Sequence, residues 1–346
     1  MINDMTKGSP IKLILSFMVP LLIGNIFQQF YNMADTIIVG RTISVEALAA
    51  VGATGSISFL IVGFVQGVTS GFAVITAQRF GAGSENGVRR SVATSIILGI
   101  AVTIVMTAIS VLAARPLLEI MKTPSDIIDD SYNYIIVIFE GIAAAVFFNL
   151  FSSILRSLGD SKTPLVFLII ASIINIILDF VFILTFKMGV AGAGWATVIA
   201  QFISGILCFV YSLKKFPILR LTKHDWKFSW KFAWQHLEVG LPMAFQFSIT
   251  AIGTMVIQSA LNSLGSTAVA AFTAGSKIDQ FATQPLASLG VAVATYTAQN
   301  YGARELERIK KGVTGAAIIA TVCGIVGGFV VITFAKPLVA LFVGSG

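Results

Sequence analysis

Four carboxylates stand inside long apolar stretches of this chain: Asp35, Glu140, Asp179 and Asp279. A charged side chain in hydrocarbon is costly, so an acid within a membrane span marks a candidate ion or proton site. Asp35 and Asp179 share a spacing. Each follows a proline, Pro20 and Pro164, by 15 residues. If both helices run outward, a rise of ~1.5 Å per residue carries both carboxyls about 22 Å from those prolines. They then share one depth, in the outer half of the first bundle. Asn175 lies one turn before Asp179 on the same helix face. Thr197 enters at a similar depth near the start of the next apolar segment. Two carboxylates, an amide and a hydroxyl form an oxygen-rich set suited to a proton or to a small hard cation such as Na+. The plainer alternatives are an interfacial Asp35 and a structural hydrogen bond for Asp179. Glu140 reads equally as structural or functional, and Asp279 with Lys277 reads as a local charge balance. Pro20 frees a backbone carbonyl and permits a bend. Gln28, Tyr134 and Asn149 read first as polar packing between helices, with a supporting or substrate-cavity role as the alternative.

The elements that carry these groups follow from composition. Only 11% of the 346 residues are charged and 56% are hydrophobic, against roughly 25% charged in soluble domains. Such a chain cannot cover a water-facing surface. Nine apolar segments are long enough to cross a bilayer: 13–39, 52–78, 91–113, 132–155, 164–186, 191–212, 237–262, 272–298 and 313–335. They are continuous rather than alternating, which argues against a β-barrel. The expected fold is an all-α polytopic membrane protein. Seventeen of the 23 Lys and Arg residues fall in one set of connections, which places the N-terminus in the cytoplasm of a plasma-membrane protein. The net charge of +7 is therefore a topology signal, and no nucleic-acid partner is expected. Cys208 and Cys323 lie in apolar segments and read as packing residues. His224 and His236 share one hydrophilic stretch. No phosphate-binding loop, nucleophile–base pair or metal motif stands out, so neither an enzyme nor a cofactor is expected.

The sequence also repeats itself. Thr76-Ala77-Gln78-Arg79-Phe80-Gly81-Ala82 recurs as Thr297-Ala298-Gln299-Asn300-Tyr301-Gly302-Ala303, an offset of 221. At that offset Ala47, Ala49 and Ala50 match Ala268, Ala270 and Ala271, and Arg115-Pro116-Leu117 matches Lys336-Pro337-Leu338. One residue of slippage aligns Pro20 with Pro242. The first unit holds six segments, an even number, so both units enter from the same side as a parallel repeat. The expected division is a six-helix lobe over 1–212, a cytoplasmic linker over 213–236, and a partial lobe of three helices over 237–346. By the repeat's logic three more helices belong to a twelve-helix protein.

Pro20, the run Gln28-Gln29-Phe30-Tyr31-Asn32-Met33-Ala34-Asp35, Gly40 and Ala47-Leu48-Ala49-Ala50-Val51-Gly52 resemble the first helix and following loop of the multidrug and toxic compound extrusion (MATE) family. Arg156-Ser157-Leu158-Gly159-Asp160, Asn175 with Asp179, and Gln299-Tyr301-Gly302-Ala303 fit the same family. The resemblance implies a V-shaped pair of six-helix lobes that exports amphipathic, often cationic, compounds in exchange for Na+ or H+. It implies an N-lobe cation site at Asp35, Asn175, Asp179 and Thr197, with Tyr134 as a neighbour and Pro20 on a helix that bends in some members. One branch carries an acid in the seventh helix; the corresponding place here, near Thr250, has none. A monomer working in the bilayer is expected, with a lipid-linked oligosaccharide flippase of the same superfamily as the alternative.

Overall fold

A computed structural model describes residues 4–262 and 266–334. The Lys336-Pro337-Leu338 motif and the side chain of Lys277 lie outside the described residues. Among the described residues there are eleven α-helices and no strand: α1 (Pro10–Thr42), α2 (Val45–Ala53), α3 (Gly55–Gly81), α4 (Glu85–Ile120), α5 (Ile128–Glu140), α6 (Ile142–Ser157), α7 (Lys162–Phe180), α8 (Gly189–Lys215), α9 (Trp230–Asn262), α10 (Ser266–Gly302) and α11 (Leu306–Thr333). Helix is what an apolar chain must adopt in lipid, where every backbone N–H and C=O needs an internal partner. The starts are marked by side chains. Ser44 Oγ accepts from the Ala47 amide and Ser84 Oγ from the Gly87 amide. Asp160 Oδ1 accepts from the amides of Lys162 and Thr163, after Gly159 turns the chain through a positive φ of 87°. The Arg156-to-Asp160 motif is thus a turn and cap that starts α7.

Seven of these helices are long and apolar enough to span a membrane, and the bent pair α5 and α6 makes an eighth span. Long apolar side chains such as Ile104, Leu112 and Ile173 point outward, exposed, as lipid contact requires. Two expectations change. The segment 132–155 is two helices meeting at 48°, not one straight span. The bend falls at Gly141, where an added Cβ would collide with Val198 of α8. The segment 272–298 is helical within α10 but is not among the helices that qualify by length and apolarity; Ser, Thr and Gln residues, Lys277 and Asp279 dilute it. α1 runs unbroken through Pro20.

The duplication is visible in helix boundaries. The start of α4 at Glu85 and the end of α3 at Gly81 recur 221 residues later at Leu306 and Gly302. In the first copy a break at Thr54 separates α2 from α3; in the second, α10 is one helix. The repeated Gln-x-x-Gly motif marks where α3 crosses α10. A Cβ at Gly81 would overlap the backbone of Gln299, and a Cβ at Gly302 would overlap that of Gln78. Each glycine meets the repeat counterpart of the other's neighbour, so the crossing sits on the axis that relates the copies.

α3 is the centre of the molecule, packed against α4, α6, α9 and α10. Gly67 and Gly71 let its backbone touch the backbones of Ala244 and Gly240 in α9, the close approach that small residues permit in membranes. His236, expected in a hydrophilic stretch, is fully buried in α9. Its Nδ1 lies 2.9 Å from the Phe232 carbonyl, so Nδ1 donates. The Nε2 of a neutral ring then accepts from Ser91, which is in turn bonded to Thr76. Burial is possible because both ring nitrogens have partners.

At one end of the bundle the segment before α1 is tucked inward. Met5 is completely buried, and its amide donates to Gln299 Oε1 at 2.9 Å. Gln299 Nε2 donates to the Ser157 carbonyl of α6, and Asn300 and Arg308 donate to the Met5 carbonyl. The buried amides of Gln299 and Asn300 thus tie this segment to α6, α10 and α11.

Candidate functional site

α1 and α7 pack side by side, with Leu165 against Gly24. α8 packs on α7 and α5. Its glycines Gly192 and Gly194 let Phe182, Val137 and the Tyr134 carbonyl come close. Thr197 stands one turn beyond Gly194 on the same helix. The geometry of three small residues thus sets how near the polar groups of four helices can come.

The structure brings Asp35, Asn175, Asp179 and Thr197 together. Asn175 and Asp179 are fully buried and Asp35 is 7% exposed. Asn175 Nδ2 lies 3.4 Å from Thr197 Oγ1, at the long end of a hydrogen bond. The Asp35 and Asp179 carboxyls are within interaction distance of each other, and Tyr31 and Tyr134 are within electrostatic reach of both. Tyr31 was not singled out as a site residue from sequence, yet it stands half-buried within electrostatic reach of both acids. The signal was available: Tyr31 precedes Asp35 by four residues and so shares its face. A second unanticipated feature adjoins the site. Immediately after α7 the chain winds into a π-helical turn, Val181–Thr185, a local widening that recurs at functional sites.

The site is short of partners. Asp35 Oδ1, Asn175 Oδ1 and both Asp179 oxygens are buried with no hydrogen-bond donor. Buried polar atoms normally find one, so these four oxygens form an acceptor set left unsatisfied by the protein's own donors. Val39, one turn beyond Asp35 on α1, belongs to an apolar cluster with Val51, Ile183 and Ala193, and Tyr134 packs on it.

Gln28 and Asn149, read from the sequence as packing or substrate-cavity residues, stand apart from the acids. The Asn149 amide donates to the Ala145 carbonyl of its own helix, and Gln28 is exposed. Pro20 is buried in α1, 15 residues from Asp35. Glu140, at the end of α5, and Asp279, in α10, are both exposed.

The MatE family profile matches residues 20–181 and 242–346, well over half the chain and both repeat units. The chain belongs to the MATE family. Members are transporters, so this is a multi-pass membrane transporter and not an enzyme. Among MATE relatives it is 29% identical over 333 residues to the probable multidrug resistance protein YoeA of Bacillus subtilis, covering 94% of this chain and 72% of that one. It is 30% identical over 310 residues to the probable multidrug resistance protein YpnP of the same organism, covering 88% and 68%. The outward-facing structure of a multidrug resistance MATE family transporter superposes with a TM-score of 0.90 at 27% identity, over 99% of this chain and 76% of that chain.

Proposed function

We propose that this protein is a secondary antiporter that exports amphipathic or cationic compounds across the plasma membrane in exchange for H+ or Na+. The lobes are 1–212 and 237–346, joined by the linker 213–236, with the N-terminus in the cytoplasm. The coupling ion binds between Asp35 and Asp179, with Asn175 and Thr197 completing its shell and Tyr31 and Tyr134 bounding it. The observation that carries this reading is the pair of buried acids with donor-free oxygens. Two such groups in apolar surroundings call for a cation between them. Binding of that ion changes the charge of the space beside α1, α7 and α8, and a change in charge is what biases a two-state bundle. The two relatives matched over most of this chain bear multidrug names, which favours drug export over the flippase alternative. No cofactor enters the cycle, and one copy of the protein suffices.

The test is efflux of a fluorescent organic cation from cells or proteoliposomes under imposed pH and Na+ gradients, comparing wild type with Asp179→Asn. Loss of gradient-driven export at equal membrane content is the expected result, and the gradient that drives the wild type names the ion. Equal export by both proteins would make Asp179 structural and remove the proposed site.

A further inference from the structure

Far from the buried acids, a cavity of about 590 Å³ opens where the end of α3, the start of α4 and the 216–229 connection meet. Its walls include Arg79, Arg89, Arg90, His224, Asp225 and Lys227. The charges are unevenly partnered. Asp225 lies 3.6 Å from Arg89 Nε, and the exposed Glu85 lies 3.7 Å from its Nη1; Asn86 accepts from the same guanidinium. Arg79, Arg90 and Lys227 have no carboxylate partner among the described residues.

The guanidinium groups are held in place without being neutralised. Arg79 and Arg90 both lie over the Phe232 ring, at 5.3 and 5.2 Å from its centroid, which fixes the planes while leaving N–H edges free. Arg79 Nη2 also donates to Gln235. Arg89 Nε is buried and has no hydrogen-bond partner, since Asp225 lies beyond bonding distance. Asp225 is itself occupied. Burial works against its charge, but the Thr222 amide and hydroxyl, with Arg89 and His224, outweigh burial and hold its pKa below the ordinary carboxylate value. It stays an anion that orients Arg89 rather than filling the cavity.

We propose that this cavity binds a phosphate group, the headgroup of an anionic phospholipid. Planar guanidinium forks beside a lysine are the donor set that phosphate oxygens match. The lipid source is favoured by the surroundings. Trp226, Trp230 and Trp234, with Phe228, stand exposed along the same connection and the start of α9, and exposed tryptophans mark the headgroup level of a bilayer. Basic pockets at that level are headgroup sites. A lipid there would brace the connection between the two repeat units against α4.

The test uses the purified protein in nanodiscs of mixed phosphatidylglycerol and phosphatidylcholine, with co-purifying lipid quantified by mass spectrometry. Wild type is expected to retain phosphatidylglycerol selectively. Arg90→Gln with Lys227→Gln should lower that selectivity by about fivefold per cation removed, while Arg90→Lys should keep it. Both altered side chains are exposed, and a melting temperature in pure phosphatidylcholine equal to wild type verifies the fold. Unchanged selectivity in the double variant would overturn the site. Inorganic phosphate displacing the effect at equal concentration would uphold the phosphate pocket and overturn the lipid as its occupant.

Discussion

Helices α1 and α9 open the two copies of one duplicated design and differ where it matters. Both carry an internal proline, Pro20 and Pro242. Fifteen residues after Pro20 stands Asp35, buried against Asp179; fifteen after Pro242 stands Ile257, half exposed. α3 and α10 by contrast keep their shared motif, because Gly81 and Gly302 each press on the backbone of the other helix at the crossing. Duplication preserved the packing that both copies need and left the acid in one of them. A scaffold can be symmetric while its chemistry is not.

The comparison breaks first at the acids. Asp179→Asn is expected to abolish ion-driven efflux, whereas Ile257→Asp should confer no coupling in the second copy. It should instead destabilise the protein, by up to about 2.5–3.5 kcal/mol, the cost of a lone acid at the bilayer centre, which falls off toward the outer half where the repeat places Ile257. Transport under imposed gradients reads the first result and thermal melting the second. Coupling gained by Ile257→Asp would show that the copies are interchangeable.

Next comes the crossing. Gly81→Ala and Gly302→Ala should each cost about 1–3 kcal/mol through overpacking, equally if the axis is real. Gly52→Ala, with nothing within 4 Å of the added Cβ, serves as the neutral control. A large loss at one glycine and none at the other would mean that the crossing is not symmetric.

The two glutamines of the motif sharpen the point. Gln299→Ala strands the buried Met5 amide and the Ser157 carbonyl and should cost about 1–3 kcal/mol for each group left unpaired. Gln78→Ala should cost well under that, since of the two glutamines it is Gln299 whose side chain bonds the segment before α1. Equal melting temperatures would show that the segment is not held there.

The smallest effect is at Asp225. Its pKa in the folded protein lies below the ordinary value, so its contribution to stability is full above the unfolded-state pKa. That contribution fades as pH falls through the lower folded-state pKa. Asp225→Asn should remove this part of the acid-side slope in melting temperature. An unchanged slope would show that the Arg89 pair contributes nothing.

How much of this was readable beforehand depends on the kind of force involved. The cost of a charge in lipid is large and belongs to a single residue, so Asp35 and Asp179 stood out and their common depth followed from counting. Asn175 and Thr197 could be added by the same count. Tyr31 escaped notice although it shares the face of Asp35, because a half-buried phenol carries no such cost. Asn149 drew attention as a polar residue in an apolar span, yet an amide can turn back to its own Ala145 carbonyl and leave no trace in the sequence.

Hydropathy, charge asymmetry and the 221-residue offset were enough to establish a duplicated helical membrane protein and the residues most expensive to bury. Those properties are sums over single residues or matches between distant ones, and the chain carries them whatever its shape. The rotation of each helix about its own axis is different. When nearly every face is apolar, hydropathy does not choose which one turns inward; contact between neighbours does. That choice set Tyr31 within reach of Asp35 and Asp179, bent the fourth span at Gly141 and widened the turn after Asp179. It also buried His236 with both nitrogens paired, and locked Gly81 and Gly302 into one crossing. Packing is a property of pairs of surfaces, and such pairs exist only once the helices have been brought together.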